Sequence, residues 1–250
     1  MRADQLLVAQ GLAPTRSAAQ RLIQGGVAEW ASPTGWAALK KAGEDLPETA
    51  QLRVTDDAEL RYVSRGGLKL EGALARVQAR VTGLTVLDMG QSTGGFTDCL
   101  LAQGASHVVG VDVGHGQLHA RLAADARVTA LEGLHVRELD RLRPHAPTGG
   151  FPLIVGDLSF ISMIGSLPEL LPWLEGHGHL LLLIKPQFEV GKGRVGKGGI
   201  VREPELHKEV CDTIAAWLAE QPGWTVLGVT DSPITGAEGN KEFLIGGVRS

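Results

Sequence analysis

The sequence has 250 residues, of which 43% are hydrophobic and 21% are charged, and its formal net charge is −4 at pH 7. These values are typical of a folded globular protein and exclude a disordered or collagen-like chain. The longest unbroken aliphatic run, 180–184, has five residues, whereas a transmembrane helix needs about 20 apolar residues. The first residues are polar and lack the apolar stretch of a signal peptide, so we expect a cytoplasmic protein without a membrane partner.

Cysteine and histidine usage argues against disulfides and metals. The only cysteines are Cys99 and Cys211, which leaves no disulfide framework and no Cys-x-x-Cys pair. The eight histidines show no ligand spacing that comes with a convincing third ligand. We therefore predict no metal site.

Charge is distributed unevenly along the chain. Residues 1–60 carry six basic and eight acidic side chains, residues 61–80 carry five and one, and residues 185–208 carry six and three. Salt confines each local field to about 8 Å under physiological conditions. The two basic islands can therefore hold phosphates although the whole chain is acidic.

The first sixty residues predict a small α+β domain. A short helix is expected over 3–10 and a second over 16–24, with Thr15 as its N-cap, followed by turns and short strands. So small a unit cannot build a large core. We expect Trp30 and Trp36 to supply much of its apolar interior.

From about residue 84, short apolar runs alternate with helical stretches, which is typical of a parallel sheet. The seven candidate strands are 85–88, 107–112, 127–131, 153–156, 179–184, 225–229 and 242–245. The sequence therefore predicts a doubly wound α/β domain over 84–250.

Residues 61–83 are predicted to form a linker and the first helix of that domain. An apolar stripe recurs at spacings of 4, 3 and 4; its members are Leu70, Leu74, Val77 and Val81. Cations line a neighbouring face of the same helix. We interpret Arg76 and Arg80 as a solvated charged face, whereas Lys69, next to a Gly-Gly turn, is a candidate site residue.

The stretch 86–97 runs from an apolar strand into a glycine-rich turn and then a helix. Glycines in such a turn let the backbone approach a ligand closely and place helix amides near its polar groups. The spacing of Gly90, Gly94 and Gly95 does not fit the dinucleotide pattern G-x-G-x-x-G.

Two acidic residues end the first two strands. Asp88 suits a cationic ligand better than a pyrophosphate, and Asp112 is placed to accept hydrogen bonds from a ribose diol. This combination favours S-adenosylmethionine, a nucleoside without a phosphate chain; the alternative is that both acids only cap turns. The predicted cofactor-binding residues are Asp88, Gly90, Ser92, Thr93, Gly94, Phe96, Asp112, Val113 and Asp157.

The segment 191–198 nearly matches the phosphate loop G-x-x-x-x-G-K-[ST]. Gly198 stands where a metal-binding hydroxyl is required, and the segment does not open a helix directly. A flexible basic loop on an RNA backbone is the better interpretation, and a plain solvated loop is the alternative.

Charged residues also follow the later strands. Ligands of open α/β sheets lie beyond the carboxyl ends of the parallel strands, so Asp157 and Lys185 are expected to face the cofactor cleft. Lys69 lies upstream and Glu242 is predicted on the last strand. Taken singly, each could instead be a turn residue or part of a surface ion pair.

Five segments together resemble the TlyA family along nearly the whole chain: 63–70, 88–97, 112–118, 157–162 and 185–193. Members of that family are ribosomal RNA 2′-O-methyltransferases related to FtsJ, often named hemolysins. The resemblance implies a Rossmann-like class I methyltransferase domain that uses S-adenosylmethionine, preceded by an alpha-L, or S4-type, RNA-binding domain over 1–60.

The resemblance also implies the chemistry of the site. The family methylates cytidine 2′-hydroxyls of 23S and sometimes 16S ribosomal RNA, and its Lys-Asp-Lys-Glu tetrad falls on Lys69, Asp157, Lys185 and Glu242. Lys185 would be the general base. Ribosomal RNA or a ribosomal subunit would be the partner, and the predicted RNA-binding residues are Arg2, Arg16, Arg21, Arg65, Lys192, Arg194 and Lys197.

The sequence departs from the family pattern in a few places. Gln91 replaces a small residue of the cofactor turn, and His115 stands where an aromatic residue is common. Segment 26–30 lacks the usual basic residue and Asn/Asp-Gly turn. The chain is short at both ends, which resembles the family type associated with large-subunit RNA alone.

Two other classes of function remain as alternatives. One is an RNA-binding or ribosome-assembly protein that keeps the methyltransferase fold without turnover. The other is a pore-forming hemolysin, which conflicts with the lack of membrane-length apolar segments.

Overall fold

The computed structural model describes residues 1–55, 60–191, 193–236 and 239–250. They form two compact units, Met1–Arg65 and Gly66–Ser250. The division lies a few residues beyond the predicted boundary at residue 60. Most of the segment that we predicted as a linker with a helix, 61–83, belongs to the second unit.

The first unit has two helices and a small antiparallel sheet: α1 (Ala3–Ala9), α2 (Arg16–Gln24), β1 (Ala28–Ser32), β2 (Gly35–Ala38) and β3 (Leu52–Val54), in the strand order β2-β1-β3. α2 has the predicted bounds, and the Thr15 hydroxyl accepts a hydrogen bond of 3.1 Å from the Ala18 amide, as expected of an N-cap. Aliphatic side chains such as Leu7 and Leu22 fill the core.

The expectation that Trp36 helps to fill this core is wrong. Trp30 is half-buried and packs against the core, but Trp36 is 44% exposed. The register explains the difference: Trp36 pairs with Ala31, the neighbour of Trp30, and therefore lies on the opposite face of the sheet. There the Arg53 guanidinium carbon lies 4.2 Å from the centre of the Trp36 ring.

The second unit is built on a seven-stranded sheet. Its strands are β4 (Thr85–Met89), β5 (His107–Asp112), β6 (Val128–Glu132), β7 (Phe151–Gly156), β8 (Leu174–Ile184), β9 (Trp224–Asp231) and β10 (Phe243–Arg249). The order is β6-β5-β4-β7-β8-β10-β9. The first five strands of this order are parallel, and β10 runs antiparallel to both β8 and β9. The predicted doubly wound, mostly parallel sheet is confirmed.

Within the ranges that the structure describes, six α-helices accompany this sheet: α3 (Gly66–Val77), α4 (Gly95–Ala102), α5 (Ala120–Ala123), α6 (Met163–Leu170), α7 (Pro186–Glu189) and α8 (Pro204–Ala219). The largest core cluster joins side chains of the strands with side chains of α6 and α8, Leu167 and Ile214 among them. None of the helices in the described part of the chain is both long and apolar enough to cross a membrane.

Several predicted bounds need correction. β8 begins at Leu174 instead of 179, because its first half carries polar residues and a positive φ of 70° at His177 and so lacks a continuous apolar run. β10 begins at Phe243, so Glu242 precedes the last strand and is not part of it. Val81 is buried as expected, but it lies beyond the end of α3.

Candidate active site

A cavity of about 410 Å³ lies beyond the carboxyl ends of the central parallel strands. Residues from four connections line it: Met89, Gly90 and Ser92; Val111, Asp112, Val113, Gly114 and Gln117; Leu134, His135 and Val136; and Asp157, Leu158, Ser159, Phe160 and Ile161. This is the edge at which ligands bind in open α/β sheets.

The glycine turn after β4 is fixed by two close approaches. Gly90 has a φ of 81°, and a Cβ at this position would lie 2.7 Å from the backbone oxygen of Asp157. Gly94 has a φ of 94°, and a Cβ there would overlap the side chains of Leu118 and Leu122. Gly90 is therefore needed to bring two loops together, and Gly94 is needed for packing beneath the turn.

The carboxylate of Asp112 lies at the wall of the cavity. Its two oxygens accept hydrogen bonds of 2.7 Å each, one from the Ser92 amide and one from the Gly114 amide. The apolar side chains of Val113 and Leu134 lie on the same cavity. A fixed carboxylate with free lone pairs beside apolar walls fits a nucleoside, whose ribose donates and whose base packs.

Asp88 lies beneath the turn and does not line the cavity. Its side chain is fully buried and accepts a hydrogen bond of 2.7 Å from the Thr97 hydroxyl, which in turn accepts one of 2.9 Å from the Gln91 amide. Burial is the main cause that raises the pKa of Asp88 to about 7, with a further contribution from the charge of Asp157. Its place in the structure is that of a buried support for the turn.

The predicted cofactor-binding residues therefore fall into two groups. Those that line the cavity are Gly90, Ser92, Asp112, Val113 and Asp157. Asp88, Gly94 and Phe96 are buried, and Thr93 is exposed outside the lining. Sequence reasoning did not find Leu134, His135 and Val136, because the connection after β6 carries no recognisable motif.

Four charged side chains form an alternating chain beside the cavity. The Lys185 Nζ lies 2.5 Å from the Asp157 Oδ1, and the Lys69 Nζ lies 3.6 Å from the Asp157 Oδ2 and 2.6 Å from the Glu242 Oε2. Lys69, Lys185 and Glu242 are 8%, 9% and 3% exposed. Charges so buried need partners, and each has one here.

The fold brings these four residues together from four elements. Lys69 is in the first turns of α3, and Asp157 follows β7, with its amide bonded to the Met89 oxygen at 2.9 Å. Lys185 and Glu242 meet through strand register, because Ile184 of β8 pairs with Phe243 of β10. The next residue of one strand and the preceding residue of the other are thus neighbours.

Ser159 is a further polar residue at this point. Its hydroxyl accepts a hydrogen bond of 2.7 Å from the Lys185 Nζ, and it also lines the cavity. In the sequence, Ser159 is only one member of the segment 157–162 that resembles the family. A serine in a turn carries no chemical signal until its partner is known.

Two of the predicted RNA-binding residues are paired within the first unit. The guanidinium groups of Arg2 and Arg16 lie 3.0 and 3.1 Å from the carboxylate of Asp4, whose side chain is fully buried. The hydrogen bond from Arg2 is the main cause that holds the pKa of Asp4 well below its usual range. Both arginines are therefore engaged with Asp4 of α1, and the pair with Arg16 joins α1 to α2.

The remaining predicted RNA-binding residues differ in their surroundings. Arg194 donates two hydrogen bonds of 2.7 and 2.6 Å to Glu209, and Lys197 is exposed. Arg21 donates to the Val63 oxygen at 3.4 Å, and Arg65 is half-buried. Lys192 lies outside the described residues.

Metal ligands are not grouped anywhere in the ranges that the structure describes. No three His, Cys, Asp or Glu side chains there come together in a way that could hold an ion.

Both parts of the chain match known protein families. The family described as FtsJ-like methyltransferase matches residues 62–249, and the S4 domain family matches residues 1–26. The 16S/23S rRNA (cytidine-2′-O)-methyltransferase TlyA of Mycobacterium tuberculosis is 43% identical over 244 residues, which are 98% of this chain and 88% of that protein.

Two further relatives carry a different name. Hemolysin A of Brachyspira hyodysenteriae is 36% identical over 246 residues, which are 98% of each chain. The solved structure named "Putative hemolysin from Streptococcus thermophilus" is 38% identical with a TM-score of 0.74, and the match covers 100% of this chain and 88% of that one. The chain therefore belongs to the TlyA family, in which an S4 domain precedes an FtsJ-like methyltransferase domain.

Proposed function

We propose that this protein transfers a methyl group from S-adenosylmethionine to the 2′-hydroxyl of a cytidine in 23S ribosomal RNA, with 16S ribosomal RNA as a second substrate to be tested. The observation that carries the proposal is the position of Asp157, which lines the cavity and pairs with Lys185 and Lys69. A ligand in the cavity and a nucleotide at the lysines would therefore meet at one carboxylate.

The cavity supplies the groups that a methyl donor of this kind needs. When bound, S-adenosylmethionine provides an electrophilic methyl group on a sulfonium sulfur. Asp112 is fixed to accept from the ribose diol, the apolar walls would pack on the base, and the carboxylate of Asp157 would favour the cationic end. The residues present fit this cofactor.

The charged chain supplies proton transfer and orientation. A ribose 2′-hydroxyl must lose its proton as it forms the new O–CH₃ bond, and the Lys185 amine would be the group that takes that proton. Asp157 and Ser159 hold the Lys185 nitrogen in place, while Glu242 holds Lys69. Positioning of the two substrates would account for much of the acceleration.

The S4 match and the exposed Lys197 support an RNA partner, as does the similarity to the 16S/23S rRNA (cytidine-2′-O)-methyltransferase TlyA of Mycobacterium tuberculosis. We therefore place the protein in the cytoplasm, with ribosomal RNA or a ribosomal subunit as its substrate. A subunit and naked RNA are distinguished by presenting each to the purified protein.

The test is transfer of labelled methyl from S-adenosylmethionine to ribosomal RNA and to subunits that lack the modification, followed by identification of the nucleotide. We expect label on a cytidine 2′-oxygen with the wild type and none with Lys185→Ala. Arg143→Ala is the control, because this arginine lies outside both basic islands and is exposed in a surface pair with Asp140. Cofactor binding without transfer to any ribosomal RNA would contradict the proposal and favour the silent RNA-binding alternative.

A further inference from the structure

The loop that carries Asp157 and Ser159, residues 157–162, is tied to the rest of the domain at both ends. At its start, the Asp157 amide bonds to the Met89 oxygen of β4 at 2.9 Å. At its end, Glu189 of α7 binds both Ser162 and Met163. The first tie belongs to the sheet, whereas the second depends on one side chain.

Glu189 makes two hydrogen bonds across the sequence. Its Oε2 accepts from the Ser162 hydroxyl at 2.8 Å, and its Oε1 accepts from the Met163 amide at 2.6 Å. Met163 is the first residue of α6, so the carboxylate satisfies an amide that has no partner within that helix. Glu189 lies four residues after Lys185, and therefore joins the segment of the proposed base to the end of the 157–162 loop.

The middle of the loop depends on these ties. Phe160 has a φ of 64°, a backbone conformation that residues other than glycine rarely adopt. Its side chain is 90% exposed. Its ring lies 5.2 Å from that of Phe188, which precedes Glu189. Because local preference does not favour this conformation, contacts from outside the loop must maintain it.

Ser159 lies next to this strained residue and accepts from the Lys185 Nζ at 2.7 Å. An amine nitrogen bonded to its Cε has three further directions. Ser159 takes one of them by a hydrogen bond, and Asp157 lies beside the nitrogen as its ion-pair partner, so a substrate hydroxyl must approach along a remaining direction. If Ser159 moved away, the Lys185 amine would lose this hydrogen bond, and its orientation towards the substrate hydroxyl would no longer be fixed.

We propose that Glu189 is a positioning residue that holds the 157–162 loop so that Ser159 stays on Lys185 and fixes the orientation of its amine. The catalytic part of this inference rests on the proposed function, because it uses Lys185 as the base. The structural part, that Glu189 maintains the loop, stands without it.

The first test is a double-mutant cycle measured as kcat and KM for RNA and S-adenosylmethionine. We expect Glu189→Ala and Ser159→Ala each to lower kcat by about 10- to 100-fold, since small misplacements of reacting groups have effects of this size. If Glu189 acts through Ser159, the double variant has the kcat of the slower single variant. Effects that multiply, or a wild-type kcat in Glu189→Ala, would overturn the inference.

Glu189→Gln tests whether the hydrogen bonds matter more than the charge. In this variant the amide oxygen can still accept from the Met163 amide, and the amide nitrogen can donate to the Ser162 hydroxyl oxygen. We therefore expect Glu189→Gln to recover most of the kcat that Glu189→Ala loses. Glu169→Ala is the control, because this glutamate is exposed on α6 and should keep the wild-type rate. A Gln variant as slow as the Ala variant would contradict the positioning role.

The second test uses no activity. Hydrogen exchange of the intact protein, followed by mass spectrometry, should be faster in Glu189→Ala for peptides over 158–163 and unchanged for peptides of β4 and α8. If the wild type transferred no methyl group, the proposed function would fail while the exchange data still decide whether Glu189 holds the loop. Unchanged exchange over 158–163 would overturn the inference.

Discussion

Lys185 and Asp157 form an ion pair of 2.5 Å at the border between the cavity and the buried charged chain. Asp157 is the only one of the four charged residues that lines the cavity. Its carboxylate therefore faces the cavity, where we propose that the cofactor binds, and also contacts two lysines.

Asp157→Asn is expected to affect both cofactor binding and the contacts with the two lysines. The amide keeps the size of the side chain but removes the charge that faces Lys185 and Lys69, so we expect kcat to fall by at least about 100-fold and the KM for S-adenosylmethionine to rise. Steady-state kinetics with each substrate varied in turn measures both effects. The control is Asp212→Asn in the exposed pair with Lys208, and a change in KM alone would remove Asp157 from the chemical step.

Asp112→Asn should act mainly on cofactor binding. The carboxylate accepts from two backbone amides, and an amide side chain can satisfy only one of them. We expect the dissociation constant for S-adenosylmethionine to rise by about 10- to 100-fold, the range expected when a hydrogen bond to a charged group is lost. Calorimetric titration measures it, with Asp125→Asn in the exposed pair with Arg127 as the control.

For the buried pair of Lys69 and Glu242, we expect that removing both charges restores stability but not activity. Removing one partner leaves an uncompensated buried charge, which costs about 3–5 kcal/mol of the free energy of unfolding. We therefore expect Glu242→Leu and Lys69→Met each to be destabilised, and the double variant to recover much of that loss.

Denaturant unfolding measures the stability of these three variants. All of them should be inactive in methyl transfer, because each removes either Lys69 itself or the carboxylate that holds Lys69 beside Asp157. A double variant that regained activity together with stability would show that the pair has only a structural role.

Asp88 predicts a dependence of stability on pH. Burial raises its pKa to about 7, above that of an unfolded aspartate, so the folded state holds a proton that the unfolded chain releases. The contribution of this group to stability is greatest at pH 4 and below, and it falls as the pH rises towards 7.

Asp88→Asn removes this titration while its side-chain oxygen can still accept from Thr97. The free energy of unfolding should therefore depend less steeply on pH between about 4 and 7 in the variant than in the wild type. Denaturant unfolding at several pH values checks this, and parallel curves for the two proteins would refute the assignment.

The parallel sheet could be predicted because its strands are buried on both faces and read as apolar runs. β5 has the predicted bounds, whereas β8 begins earlier than predicted, because Gly176 and His177 interrupt its apolar pattern. The exposure of Trp36 could not be predicted, since it depends on which face of the small sheet the register selects. Periodicity gives the elements, and register decides what each side chain meets.

The candidate site shows a similar division. Lys69, Asp157, Lys185 and Glu242 were candidates from their positions along the chain, the motif resemblance gave them as a tetrad, and the structure brings them into one chain of ion pairs. Ser159 and Glu189 were not found, because their partners lie far away in sequence and the residue types alone carry no signal. The pairing of Arg2 and Arg16 with Asp4 was also missed, because the sequence does not show that the Asp4 carboxylate is buried.

The absence of a side chain at Gly90 lets the turn after β4 pack directly against the loop after β7. A Cβ there would lie 2.7 Å from the backbone oxygen of Asp157, so the turn after β4 and the loop after β7 leave no room for each other to shift. Grafting the turn of another methyltransferase onto this chain would therefore also displace the loop that carries Asp157, the residue that we propose to hold the base. If the proposed function holds, protein engineering could not change donor specificity and chemical rate independently in this scaffold, because a side chain at Gly90 would disturb both.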